Sequence, residues 1–496
     1  MENEQSGPGT SLVAPAPPSR PRALRRVLLA SLAAGVAGAA VFGGLLSLVP
    51  SAPPAPPRAG LPAPGPKPQT LTTVTAGMPA ALPGLTGLIA DRERHLRAHP
   101  QDAQAWTVLG TAYAERGRRS ADAADYPKAE QALKTALEVR GEEDARSAPA
   151  LEGLAALANA RRDFDEARSR GEQALELSPK RWTAYPLLID AYTGLGDYES
   201  ARGTLDDLMK LRVGAEAKPA VMARAAAVYR DRGWREDAQA QVADAAAGAR
   251  TPAEQAAYLE QAGQLAWERG DRHDALRHYE AALRLDPDQR AAMAGRGRAL
   301  AALGRTAEAV KAYRAALAGH PAPQYALELG ELYESQGMRE QAQAQYDLLL
   351  ATVERNTSDG VDGELVAGQY EADHGDPQDA VDRLRAEWER QPGIEVADAL
   401  GWALYRAGDP EGALHYAAIA TDKTKGGGVR SALYSYHRGV IERELDDGPV
   451  ARRFLQDALR VNPYFSPLRA PEARQALAEL GDPPDEPVPD DLTGIQ

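Results

Sequence analysis

The sequence predicts an all-α solenoid of stacked helix pairs that follows an N-terminal transmembrane helix. The first observation is a spacing of 34 residues at which small and large side chains recur in the same order. The second is a composition that is 26% charged and only 6% aromatic, without the alternating apolar and polar runs that indicate β-strands. The third is an uncharged stretch, residues 27–49, that is long enough to cross a bilayer.

The 34-residue spacing is clearest between residues 256 and 321. The matching positions are Leu259, Ala262, Gly263, Gly270, Ala275, Tyr279, Ala282, Leu283 and Pro287, followed by Met293, Gly297, Leu300, Gly304, Ala309, Tyr313, Ala316, Leu317 and Pro321. Gly263 predicts a close contact between two helices, and Gly270 predicts a turn with positive φ. Pro287 ends the second helix because proline cannot continue the hydrogen-bond ladder.

This order of residues resembles the tetratricopeptide repeat (TPR), a helix–turn–helix unit with the pattern W-x2-L-G-x2-Y…A-x3-F…P. The resemblance implies an all-α TPR α-solenoid, a superhelix of about ten repeats with capping helices, over residues 83–480. Residues 85–99 resemble the second helix of an incomplete unit, and residues 470–480 resemble a terminal helix with a polar outer face. The resemblance also implies that partners bind on the concave face formed by the first helices.

The remaining segments are predicted from composition. Residues 1–26 are expected to be a disordered cytoplasmic N-terminus, 27–49 a transmembrane helix, 50–82 an extended Pro/Ala-rich spacer, and 481–496 an acidic disordered tail. Four arginines precede residue 27, which predicts a single-pass plasma-membrane protein with its N-terminus cytoplasmic and its repeats extracytoplasmic. A cleaved signal peptide and the opposite topology are the alternatives. A small-residue stripe, Gly35, Ala39 and Gly43, would permit a homodimer through this helix.

Composition and motifs argue against several functions. The chain has no cysteine, which excludes disulfides and thiolate chemistry, and it has no phosphate-loop, HExxH or GxSxG motif. The formal net charge is −14 and no basic stripe appears in the repeats, so nucleic-acid binding is not expected. We therefore predict a non-catalytic protein with no cofactor, no metal and no catalytic residue.

Candidate partner-binding residues lie on first helices at positions that the packing pattern leaves free. They are Asp190, Arg230, Glu260, Gln264, Trp267, Arg298, Glu331, Glu334, Trp402, Tyr405 and Arg406. Trp267 and Trp402 have two interpretations, because a large aromatic side chain at such a position either anchors a peptide or packs between repeats. TPR domains that bind chaperone tails use a Lys/Asn clamp, and Glu260 and Gln264 occupy such slots here, which argues against a carboxylate clamp.

The predicted function is a membrane-anchored scaffold that binds protein or peptide partners and helps to assemble a complex at a cell envelope. High Ala, Arg and Gly content is typical of a GC-rich bacterial genome. Residues 98–117 are similar to TPR subunits of bacterial cytochrome c maturation, which implies the alternative of a chaperone that holds unfolded clients. A regulatory subunit of an envelope enzyme complex is the other alternative.

Overall fold

The computed structural model describes residues 66–422 and 428–481. The regular structure within these residues is helical throughout. The α-helices are α1 Pro66–Thr75, α2 Leu82–Ala98, α3 Ala103–Ser120, α4 Tyr126–Arg140, α5 Ala148–Arg161, α6 Phe164–Leu177, α7 Ala184–Gly194, α8 Tyr198–Lys210, α9 Lys218–Asp231, α10 Arg235–Gly248, α11 Pro252–Glu268, α12 Arg272–Leu285, α13 Arg290–Ala302, α14 Thr306–Leu317, α15 Pro323–Ser335, α16 Arg339–Thr357, α17 Glu364–His374, α18 Pro377–Arg390, α19 Ile394–Arg406, α20 Pro410–Thr421, α21 Ala432–Glu444, α22 Gly448–Val461 and α23 Arg469–Glu479.

Consecutive helices pack as hairpins, from α3 with α4 to α21 with α22. We call these pairs repeats 1 to 10 and refer to the first and second helix of each. Because the turn within a pair is only a few residues long, its two helices run antiparallel. Helix α2 packs on the first pair and α23 on the last. The prediction of an all-α solenoid is therefore confirmed.

Tyr279 shows why small residues recur with the 34-residue spacing. Its side chain is fully buried between the first helices of repeats 5 and 6. A Cβ atom on Gly263 would come within 2.7 Å of the ring, and one on Gly295 within 2.3 Å. Gly270 has φ of 79°, as predicted for the turn. The small residues that recur every 34 positions therefore lie where neighbouring helices contact each other.

Helix α1 lies inside the segment that was expected to be an extended spacer. Its end packs on α2 and α3, and Val74 is only 3% exposed. The hydroxyl of Thr73 donates to the backbone carbonyl of Gln69 at 2.9 Å, so this side chain forms its hydrogen bond within its own helix. Packing on the first repeat thus outweighs the proline-rich composition that precedes it.

Successive turns of the superhelix contact each other. Three hydrogen bonds, each spanning 195 or 196 residues, join Tyr198 with Ile394, Arg235 with Arg430, and Trp267 with Asn462. In each case the turn within one repeat contacts the loop that follows the repeat five places further on. We call these contacts the inter-turn seam. Tyr198 and Ile394 of the seam also lie at the inner face of the solenoid.

A buried ion pair also belongs to the inter-turn seam. The guanidinium of Arg119, at the end of the first helix of repeat 1, donates to the carboxylate of Asp286, in the loop after repeat 5. Their side chains are 3% and 5% exposed. Nearby, His320 lies 3.6 Å from the carboxylate of Asp122. Two residues 167 positions apart are therefore paired away from water.

The predicted localisation is overturned. Within residues 66–422 and 428–481, no helix is both long and apolar enough to cross a membrane. The longest helices there, α3 and α16, each carry several charged residues. A single-pass plasma-membrane protein with a cytoplasmic N-terminus and extracytoplasmic repeats is therefore not retained, nor are its transmembrane helix and the homodimer through it. Residues 27–49, on which that prediction rested, lie outside the described residues, as do 1–26 and 482–496.

Candidate functional site

The first helices face inward and line two cavities. The larger, of about 900 Å³, is lined by the first helices of repeats 1 to 5 and by residues 74–79. Residues 393–396, Val429 and Tyr434 from the next superhelical turn border it. The smaller, of about 510 Å³, is lined by the first helices of repeats 5 to 10 and by α23. We call them the large cavity and the aromatic cavity; the second name refers to Trp267, Tyr313, Trp402, Tyr464 and Phe465.

The eleven predicted residues divide between these cavities and their surroundings. Asp190, Arg230 and Glu260 line the large cavity. Trp267, Arg298, Glu331 and Trp402 line the aromatic cavity. The other four, which lie outside both linings, are Gln264, Glu334, Tyr405 and Arg406.

Several of the predicted residues pair across neighbouring repeats. Asp190 accepts a hydrogen bond from Arg224, 34 residues further on. Gln264 accepts one at 2.8 Å from Arg298, also 34 residues further on. Because the repeat is 34 residues long, residues at equivalent positions of adjacent first helices are neighbours. Hydrogen bonds between them connect one repeat to the next. Arg406 follows the same rule, because it donates at 3.1 Å to the carbonyl of Ala372.

Other predicted residues are held by ion pairs or hydroxyl groups. Arg230 contacts Glu268 at 2.8 Å, and Glu334 accepts from the hydroxyl of Tyr346 at 2.8 Å. The ring of Tyr405 lies 5.1 Å from that of Trp402. Among the charged residues that were predicted, only Glu260 and Glu331 make no ion pair or hydrogen bond with a described residue.

The two unpaired carboxylates have raised pKa values. Burial raises the pKa of Glu260 to about 7, against the opposing effect of Arg298 and Arg118. Burial, and then the nearby Asp373 carboxylate, raise the pKa of Glu331 to about 8, while Arg469 opposes them. Both groups therefore favour the protonated form more strongly than an exposed glutamate does.

Trp402 lines the aromatic cavity and contacts several of its polar residues. Its indole N–H donates to Asp373 at 2.9 Å, and the ring of His437 stacks on it at 4.2 Å with an interplanar angle of 15°. Asp373 also pairs with Arg469 at 2.7 Å. Trp402 is only 5% exposed and Trp267 only 7%, so both pack between repeats while also lining the cavity.

Asp373, His437 and Arg469 were not among the predicted site residues. Asp373 and His437 lie on first helices, so the repeat phase places them on the inner face, but the weakness of the pattern beyond residue 360 hid them. Arg469 begins α23, beyond the last repeat. Only the superhelical winding brings it beside residue 373.

Glu331 leads to a prediction about stability and pH. Its folded-state pKa, about 8, exceeds the unfolded value, so the unfolded chain loses this proton first and stability falls as pH rises from about 4.5 to 8. The charged groups that face it are Asp373, Glu328 and Glu334, opposed by Arg469. Glu331→Gln should therefore raise the melting temperature at pH 9, by on the order of 2 °C, and change it less at pH 5.

Thermal melts followed by circular dichroism at pH 5, 7 and 9 would measure this effect. Glu340→Gln, at an exposed position of α16, is the matched control and should shift the melting temperature equally at each pH. A Glu331→Gln shift that did not grow with pH would contradict the prediction.

Comparison with known families identifies the repeats. One model of the tetratricopeptide repeat matches residues 260–326, 302–359 and 399–466, and a second matches residues 158–225. These ranges fall on the helix hairpins described above. Curated protein sequences include none that matches the chain.

Solved structures resemble the solenoid at low sequence identity. Human IFIT1, as a dimer with PPP-AAAA, is 16% identical with a TM-score of 0.43, over 63% of this chain and 71% of that chain. PilF of Pseudomonas aeruginosa is 18% identical with a TM-score of 0.34, over 44% of this chain and all of that chain. A tetratricopeptide repeat protein from Parabacteroides merdae is 15% identical with a TM-score of 0.32, over 53% and 99%.

Proposed function

Because this chain is built from tetratricopeptide repeats, we propose that it is a non-catalytic scaffold that binds a segment of a partner protein inside its superhelix. The observation that carries the proposal is the large cavity. It is formed by the same face of five consecutive repeats, so it belongs to the repeat architecture and not to one loop.

The volume of the large cavity limits what it accepts. About 900 Å³ lies at the upper end of ordinary ligand pockets and accommodates several side chains, but not a folded domain. The inter-turn seam borders one side of it. We infer that the partner contributes an extended segment or a loop.

The wall of the large cavity combines apolar surface with charged residues, most of which are paired with one another. Val108, Leu187 and Ala257 provide apolar contacts. Arg181 pairs with Glu152 at 2.7 Å, and Arg224 pairs with Asp190. Since these ions hold one another, apolar side chains of the partner supply the main contacts. Glu260, Glu395 and Arg162 line the cavity without an ion pair among the described residues, so they are the charged groups that can receive a polar contact.

Site-specific photo-cross-linking tests this proposal. A photoreactive amino acid at Ala156 or Ala257, which line the large cavity, should cross-link a defined segment of a partner. The same amino acid at Gln131 or Lys311, exposed on second helices, is the control and should give none. Cross-links from the outer positions alone would refute binding inside the superhelix.

A bulky substitution provides an independent measurement. Ala257→Trp, which fills the cavity, should weaken partner binding at least about tenfold and leave helical circular dichroism unchanged, whereas Lys311→Trp should have no effect. Many different unfolded polypeptides among the cross-linked proteins would favour a client-holding chaperone. A single enzyme complex would favour a regulatory subunit.

A further inference from the structure

We propose that the aromatic cavity binds an organic cation, an ammonium or guanidinium group at the end of a flexible chain, with Glu331 as its counter-ion. This site is distinct from the large cavity, and the proposal does not depend on a partner binding there. It rests on the charge pairing, the walls and the size of the aromatic cavity.

One carboxylate in the wall of the aromatic cavity has no ion-pair partner. The pairs within the lining are Arg298 with Glu328 at 2.8 Å, Arg469 with Asp373 at 2.7 Å, and His437 with Asp398 at 2.9 Å. Arg474 donates to the carbonyl of Pro463. Glu331 has no partner among the described residues. Glu331 is therefore the one carboxylate among the described residues of this lining that lacks an ion-pair partner, and a cation would supply that partner.

The surroundings of Glu331 favour a cation over a neutral group. The carboxylates of Asp373, Glu328 and Glu334 all disfavour its ionisation, and Arg469 is the opposing charge. An ionised Glu331 without a counter-charge is costly in such a place, so near neutral pH the group holds a proton, and a cation that replaces this proton supplies the counter-charge. A bound cation lowers the pKa of Glu331, so binding near neutral pH releases a proton.

The walls suit the rest of such a ligand. Trp267, Trp402 and Tyr464 line the cavity, and each already has a guanidinium over its ring, from Arg298 at 5.8 Å, Arg469 at 5.8 Å and Arg272 at 4.2 Å respectively. Such contacts are those that ammonium and guanidinium groups make with aromatic rings. The methylene stem of a lysine- or arginine-like chain packs on the same surface. A cavity of about 510 Å³ contains one such chain together with water.

Other ligand classes fit less well. A calcium or magnesium ion requires about six oxygen ligands, and a single free carboxylate does not provide them. An anion would need an arginine that is free inside the cavity, but Arg298 and Arg469 are engaged by carboxylates, and Arg474 is exposed and donates to the carbonyl of Pro463. Among the residues described, the donor set therefore points to a monovalent organic cation.

Calorimetric titration of the full chain tests the proposal. The probes are the Nα-acetyl, N-methylamide derivatives of lysine and arginine, and the norleucine derivative serves as the uncharged control of similar length. At least one charged probe should bind and change tryptophan fluorescence, and norleucine should bind at least about tenfold more weakly. Equal binding of norleucine, or no binding of either charged probe, would overturn the proposal.

Variants assign the binding to Glu331. Glu331→Gln keeps the shape of the side chain and should weaken binding at least about tenfold, whereas Glu340→Gln should leave it unchanged. Titration at pH 7 in two buffers of different ionisation enthalpy should show release of up to one proton by the wild type, and none by Glu331→Gln. Unchanged affinity of a folded Glu331→Gln variant would refute the assignment.

The source of the cation is decided by a second set of probes. Butylammonium and methylguanidinium represent free small cations, and a glycine-flanked lysine or arginine tripeptide represents a side chain of a protein. Tighter binding of the tripeptide would assign the site to a basic side chain. Tighter binding of the free cations would assign it to a small molecule. Because no partner protein is used, failure here leaves the proposal for the large cavity untouched.

Discussion

Asp286→Ala is expected to lower the free energy of unfolding by about 3–5 kcal/mol, because it leaves the buried guanidinium of Arg119 without its counter-ion. The carboxylate also accepts from the backbone N–H of Asp288 at 3.3 Å, and that bond is lost with it. Denaturant unfolding followed by circular dichroism measures the change. Hydrogen exchange should become faster in residues 117–122, where the seam opens.

Two further variants separate the ion pair from other effects of the substitution. Arg119→Met removes the opposite partner and should cost a similar amount, since it leaves Asp286 buried and unpaired. Asp288→Ala removes an exposed carboxylate of the same loop and should change stability by less than about 0.5 kcal/mol. If Arg119→Met and Asp286→Ala were both as stable as the wild type, the buried ion pair would not contribute to the stability of the fold.

Tyr279→Ala is expected to cost about 3–5 kcal/mol, the usual loss for removing a fully buried aromatic side chain. The ring fills the space over Gly263 and Gly295, so its removal leaves a cavity between the two helices. Denaturant unfolding again gives the difference. His273→Ala, at an exposed position of the same helix, is the control and should have little effect.

A double-mutant cycle tests the stated reason for the Tyr279 effect. Gly295→Ala places a Cβ atom 2.3 Å from the Tyr279 ring, so it should destabilise the wild type. In the Tyr279→Ala background that space is empty, and the same change should cost less or stabilise. Additive effects would show that the ring and the glycine do not contact each other as described.

Tyr279 and Gly270 show how far the sequence pattern reached. The recurrence at 34 residues predicted the close helix contact at Gly263, which the Tyr279 ring fills, and the positive φ of Gly270, and the structure has both. The same pattern left Trp267 and Trp402 ambiguous, since packing and binding both place a large aromatic residue on a first helix. Their burial settles that they pack between repeats. Helix α1 was missed because its local composition favours an extended chain and packing on the first repeat outweighs it.

The sequence by itself determined the repeat, because contacts inside a hairpin and between adjacent hairpins join residues at short, regular spacings. The tertiary structure decided the inter-turn seam, the two cavities and the meeting of Asp373 with Arg469. These depend on the pitch of the superhelix, which is the sum of small rotations between repeats. No single repeat encodes that sum, so Asn462 and Trp267, 195 residues apart, become neighbours only when the whole stack has formed.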